Sequence, residues 1–188
     1  MALSICYSSF LSYLLLFVLL FREASSVSHH HHHELKSIHF TLFQHETINK
    51  TAYLIVNGVA GPSISQTTTP FGTLYVFQDP LTLKANSNSK IVGTAEGTSI
   101  TSSLNGLQSI SIAKITLMMN HYKGSISVVG GTHNTKPSNH PVVGGTGDFL
   151  FVQGYVTSSP VDLSGITVTY KIQFHLYWPP YAIPSHPK

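Results

Sequence analysis

Cysteine and charge are what this sequence has least of. Of its 188 residues one is cysteine, and 9% are Asp, Glu, Lys or Arg. Cys6 lies beside an N-terminal apolar run that reads as a removable leader, so the mature chain has no disulfide available and its stability must come from packing and strand pairing. The Lys and Arg residues are scattered singly. Without a basic stripe interleaved with aromatics there is no footprint for nucleic acid, and a net charge of +3 leaves only a mild attraction to an anionic wall polymer. Also missing is any window of helical length with a 3.6-residue apolar period and caps, which excludes a helical domain. No apolar run reaches the about 20 residues of a membrane span.

What the chain does have begins with the run Phe10 to Phe21, followed by Arg22, Glu23 and the small residues Ala24, Ser25 and Ser26. This pattern predicts a secretory signal over residues 1–26, cleaved near Ser26, and a mature protein outside the membrane. His29 to His33 is a low-complexity run in a polar stretch, read as part of a disordered leader over 27–35. Such a run binds divalent metals without fixed geometry, and a cloning tag is a second origin for it. Roughly 160 residues then remain, enough for one domain with a proper core.

From Lys36 onward, short segments rich in Val, Ile, Thr, Phe and Tyr alternate with clusters of Gly, Pro, Asn and Ser, the pattern of successive antiparallel strands. Strands are predicted at residues 36–45, 52–59, 72–79, 90–101, 110–119, 125–130, 148–157 and 166–177. In the last, Ile166, Val168, Tyr170, Ile172 and Phe174 alternate with Thr167, Thr169, Lys171 and Gln173, which places one apolar face against one polar face. Eight such strands suit an all-β fold, an eight-stranded antiparallel up-and-down β-barrel over 36–178, because closure removes sheet edges. Its interior is just wide enough to be filled or to hold one small ligand. The Pro-rich stretch 179–188 is predicted to be a disordered tail.

Several motifs resemble plant dirigent proteins: FGTLYVFQDPLT (Phe71 to Thr82), KIVGTAEG (Lys90 to Gly97), GSISVVGG (Gly124 to Gly131), HPVVGGTGDF (His140 to Phe149), FVQGYV (Phe151 to Val156) and HLYW (His175 to Trp178). They run in colinear order over nearly the whole mature chain. The resemblance implies a secreted, apoplastic barrel that associates with copies of itself as a dimer or trimer. It implies no cofactor. Phenoxy radicals made by a separate laccase or peroxidase would bind, and their coupling would be steered, as when two coniferyl alcohol radicals give an optically active lignan in phenylpropanoid metabolism. Radical pairing is already fast, so the protein need only hold faces. A hundredfold preference takes about 2.7 kcal/mol of differential orientation, which a few aromatic contacts supply.

The family's first strand carries a His-Asp pair, matched here by His45 and Glu46. Glutamate keeps the acid but moves it by roughly 1.5 Å. If buried, Glu46 should have a raised pKa and act as an acid or base toward a quinone methide; a solvated carboxylate at a strand end is the plainer alternative. The family's tyrosine motif falls on Thr98 and Ser99, its second carboxylate on Tyr122, Lys123 or Gly124, and its arginine on Gly131, Thr132 or His133. The polar cluster is therefore thinned, with His133 or Lys123 as the available positive charges. Tyr75, Phe77, Phe149, Phe151 and Tyr155 are strand aromatics, of which Tyr75, Phe77 and Phe149 are taken as pocket candidates beside His45, Ser99 and His133.

Other motifs read as structure. Gly144, Gly145 and Gly147 suit a sharp turn into a strand rather than a phosphate cradle, because no helix follows. Asp79, before Pro80, suits a turn rather than an acid catalyst. The barrel histidines His39, His45, His121 and His175 lack the paired spacing of a metal-binding barrel, so no metal is expected. Asn49-Lys50-Thr51 is a glycosylation acceptor or an unmodified turn. Three functions remain open: a stereo-directing auxiliary without an oxidative centre, a dehydratase or cyclase acting on a phenolic through a quinone methide, and a wall-associated protein that organises lignin.

Overall fold

The computed structural model describes residues 35–182, which contain nine strands and one short 3-10 turn at Pro180–Ala182. The predicted signal, most of the His-rich leader and the end of the tail lie outside the described residues. In order the strands are β1 Lys36–Thr47, β2 Ala52–Val56, β3 Leu74–Thr82, β4 Ile91–Thr101, β5 Gln108–Met118, β6 Lys123–His133, β7 Ser138–Gly147, β8 Gln153–Ser164 and β9 Thr167–Trp178. All pairings between them are antiparallel, in the order β1-β9-β8-β7-β6-β5-β4-β3, and β1 then pairs with β3 to close a ring of eight. The predicted all-β, eight-stranded antiparallel barrel is the fold.

Which strands make the ring differs from the sequence expectation. β2 pairs only with the first part of β3 and stands outside the ring, whereas β7 was read as a glycine turn. β7 carries Pro141 and three glycines, a composition that argues against a strand. It forms nonetheless because its two halves have different partners: Ser138 to Pro141 pair with β8, and Val142 to Gly147 pair with β6. Gly144 and Gly145 are therefore strand residues, and of the three only Gly147 has a positive φ, 61°. The segment after it turns before β8 begins at Gln153, later than predicted. Asp79 likewise lies within β3 rather than at a turn.

Alternation decides what enters the ring. From β9 the inward set includes Val168, Tyr170, Ile172, Phe174, Leu176 and Trp178, as the apolar row of the sequence predicts; from β1 it includes Phe40, Leu42, Gln44 and Glu46. One end of the barrel is filled. Phe40 stacks on Phe174 at 4.4 Å, and Tyr122, Phe149 and Trp178 stack beside them. Each such aromatic contributes about 1.5–3 kcal/mol by leaving water, which suits a chain that holds no disulfide. Close approach of strands also needs Gly97, where an added Cβ would meet the Ile112 carbonyl oxygen. The other end of the barrel is hollow.

Candidate active site in the barrel cavity

The hollow half is a cavity of about 340 Å³. β1 contributes Gln44 and Glu46, β3 Tyr75 and Phe77, β4 Ser99, and β9 Tyr170 and Ile172. Thr69, Gln66 and Ile64 from the β2–β3 connection also line it. That connection is tied down: Gln66 Nε2 donates to the Gly165 carbonyl at 2.7 Å, and Asn134 Nδ2 to the Thr67 carbonyl at 2.8 Å.

Of the residues singled out from the sequence, Glu46, Tyr75, Phe77 and Ser99 line this cavity. His45, His133 and Phe149 do not. His45 neighbours Glu46 on a strand, so when one faces inward the other faces out. Its ring is buried on the outer face, with Nε2 2.8 Å from Thr82 Oγ1 and Nδ1 3.4 Å from Thr169 Oγ1. His133 ends β6 and accepts from the Thr135 amide at a turn, outside the cavity lining. Phe149 is fully buried in the aromatic cluster of the filled end. Of the other aromatics, Phe151 is exposed and Tyr155 stacks on the outward His175 at 4.6 Å. His39 is the cross-strand neighbour of His175, their Nδ1 atoms 3.1 Å apart.

Three groups were missed. Asp79 is wholly buried behind the lining: Oδ2 accepts from Gln44 Nε2 at 2.6 Å, and Oδ1 has no partner. Pro80 hid it, because Asp-Pro reads as a turn. Tyr170 lines the cavity on the inward row already visible in the alternation of β9. His140 precedes Pro141 on β7 and lines the opposite wall, its Nε2 buried without a partner.

The electrostatics follow from the geometry. Burial, reinforced by the negative charge of Asp79, pushes Glu46 up to about 8; no donor or cation among the described residues offsets it. Burial likewise pushes Asp79 up to about 6, with Thr51 and Gln44 opposing. Tyr170 is raised well above the usual phenol range by burial and by both carboxylates, and Tyr75 is raised by burial and by Glu46. Burial lowers His140, which favours a neutral ring. At neutral pH the cavity therefore presents an uncharged carboxylic acid in an apolar, aromatic setting. Such an acid donates a proton to a guest oxygen far more readily than a solvated carboxylate does.

A family model described as Dirigent-like protein matches residues 37–177. Pterocarpan synthase 1 of Glycyrrhiza echinata is 31% identical over 164 residues, 78% of this chain and 82% of that protein. Dirigent protein 8 of Arabidopsis thaliana is 27% identical over 126 residues, 64% of this chain and 69% of that protein. Among solved structures, the pterocarpan synthase dirigent protein PsPTS1 aligns with TM-score 0.66 at 22% identity, covering 76% of this chain and 96% of its own. The related GePTS1 gives 0.63 at 23%, covering 78% and 93%. These two structures share the barrel. With the family model spanning β1 to β9, the chain belongs to the dirigent family.

Proposed function

We propose that this chain binds one phenolic guest in the barrel cavity and assists loss of water from it, with Glu46 as the proton donor. The observation that carries this reading is the placement of Glu46: its carboxyl faces the cavity, and Asp79 lies behind it in the seam between β1 and β3. In a guest with a hydroxyl on the carbon attached to the phenol ring, the Glu46 proton passes to that hydroxyl. The C–O bond breaks and water leaves, giving a protonated quinone methide. A second hydroxyl of the guest then adds at the same carbon and returns its proton to the Glu46 carboxylate. The acid is regenerated, and water is the only by-product.

Two considerations put this ahead of steering radicals, the order opposite to the one the motifs favour. A cavity of about 340 Å³ lies at the small end of ligand pockets, roughly 300–1,000 Å³, and so suits one guest. A relative that is 31% identical, matched over 82% of its own length, is named a pterocarpan synthase. Stereo-directed coupling of phenoxy radicals from a laccase or peroxidase is the second reading. Tyr75, Phe77 and Tyr170, aromatic faces within one cavity, favour it.

The test is turnover of a phenol bearing such a hydroxyl by the purified protein, with no oxidant. Product should form with wild type and fall by about 10²–10⁴-fold in Glu46→Gln, the usual range for general acid catalysis. No turnover, together with enantiomeric excess when coniferyl alcohol and a one-electron oxidant are supplied, selects the second reading. Export through the N-terminal apolar run, self-association, and a glycan on the exposed turn residue Asn49 belong to the same proposal.

A further inference from the structure

The wall of the cavity away from Glu46 carries a cluster of hydroxyls among its apolar residues. Ser99 on β4 pairs with Ser111 on β5, Thr101 pairs with Ser109, and Ser109 pairs with Thr132 on β6. All five side chains line the cavity. In the ring of eight, β5 and β6 lie three and four strands from β1 by the shorter path, so Ser109, Ser111 and Thr132 stand across the barrel from Glu46, with Ser99 and Thr101 at the near edge of the patch on β4.

Inward positions of a barrel this size are normally apolar, because a buried hydroxyl without a partner is costly. Here the partners are one another, and incompletely. Ser111 Oγ donates to Ser99 Oγ at 3.3 Å and shares a 2.8 Å hydrogen bond with Thr132 Oγ1. Each hydroxyl brings one donor and two lone pairs. The two bonds among these three side chains therefore leave an O–H and most of the lone pairs to the cavity. No Lys or Arg is among the lining residues, the ring of His140 on neighbouring β7 is kept neutral by burial, and Glu46 and Asp79 contribute acid function only. A guest anion would find no cation here and would lose its own hydration, whereas a neutral oxygen can both donate and accept.

We propose that Ser99, Ser111 and Thr132 form a neutral-oxygen subsite that selects phenols carrying an alcohol at the end remote from Glu46 and rejects the corresponding carboxylates. The subsite rests on the reading above in one respect, that a phenolic guest occupies the cavity. The three hydroxyls position the guest by its far end, and the acid acts at the near one. Specificity and proton transfer are thus divided between opposite walls.

Three probes isolate the subsite. Coniferyl alcohol and isoeugenol differ only in a terminal hydroxyl, and in ferulate a carboxylate replaces the terminal CH2OH of coniferyl alcohol. Affinities of the full chain at neutral pH should rank coniferyl alcohol above isoeugenol by about threefold to tenfold, the worth of one hydrogen bond, with ferulate weakest. In Ser111→Ala/Thr132→Ala that advantage should vanish, isoeugenol affinity holding within about twofold. Glu46→Gln should keep the wild-type ranking. Should the double variant not fold, the wild-type ranking and Ser111→Ala alone decide the matter. Equal binding of coniferyl alcohol and isoeugenol by wild type, or tighter binding of ferulate, overturns the subsite and leaves the acid reading standing; failure of all three probes to bind overturns both.

Discussion

Gln44 and Asp79 sit on the two strands that close the barrel, and the 2.6 Å hydrogen bond from Gln44 Nε2 to Asp79 Oδ2 bridges them on the inside. The seam is short, with Phe43 opposite Thr82 and Gln44 opposite Leu81. A side-chain bond here does two jobs. It reinforces the closure, and it fixes a carboxylate where its charge discourages ionisation of Glu46.

Removing that charge should therefore move the activity profile. In Asp79→Asn the amide oxygen can still accept from Gln44, but the negative neighbour of Glu46 is gone. Glu46 then loses its proton at lower pH, and the alkaline limb of the rate profile shifts toward acid. It should not return to the ordinary carboxylate range, because burial, the larger cause, remains. Rates measured across pH for the wild type and this variant give the shift directly.

The same carboxyl links stability to pH. A group whose pKa is higher in the folded chain binds its proton more tightly there, so its favourable contribution is complete below the unfolded value of 4.5 and is lost as pH rises through about 8. His45 and His140, lowered by burial, act in the opposite sense below 6.5. Between pH 6.5 and about 8 the Glu46 contribution dominates, since Asp79 is mostly ionised above about 6. Urea unfolding should show the wild type losing on the order of 1 kcal/mol across that window, with no such loss in Glu46→Gln.

His45 should matter to stability and not to guests. It is 5% exposed, and its partners are the outward hydroxyls of Thr82 and Thr169. His45→Ala leaves those groups short of a partner and opens a void, a loss of about 1–3 kcal/mol. Affinity for a phenolic guest should be unchanged. The two measurements are an unfolding curve and a binding isotherm on the same preparation.

The barrel was legible because period-two alternation survives in nearly every strand; the row Ile166 to Phe174 even put Tyr170 on the correct face. What failed were segments where local chemistry and tertiary pairing disagree. Gly144, Gly145 and Gly147 read as a turn, yet β7 persists because each half borrows a different neighbour. Pro80 hid Asp79 for the same reason. The pairing of His45 with Glu46 as pocket residues conflicted with alternation itself, a signal available in the sequence. Phe149 was beyond reach, since the cluster that buries it is assembled from β9 and from the turns that follow β5 and β7. The hydroxyl wall needed the register of three strands, which no single segment carries.

The most direct measurement is a carboxyl-carbon NMR titration of the ligand-free protein, with Glu46→Gln used to assign the signal. A Glu46 midpoint near 8 is the predicted result, meaning an acid that still holds its proton at neutral pH inside the barrel. A midpoint in the ordinary glutamate range, near 4.5, would contradict the account.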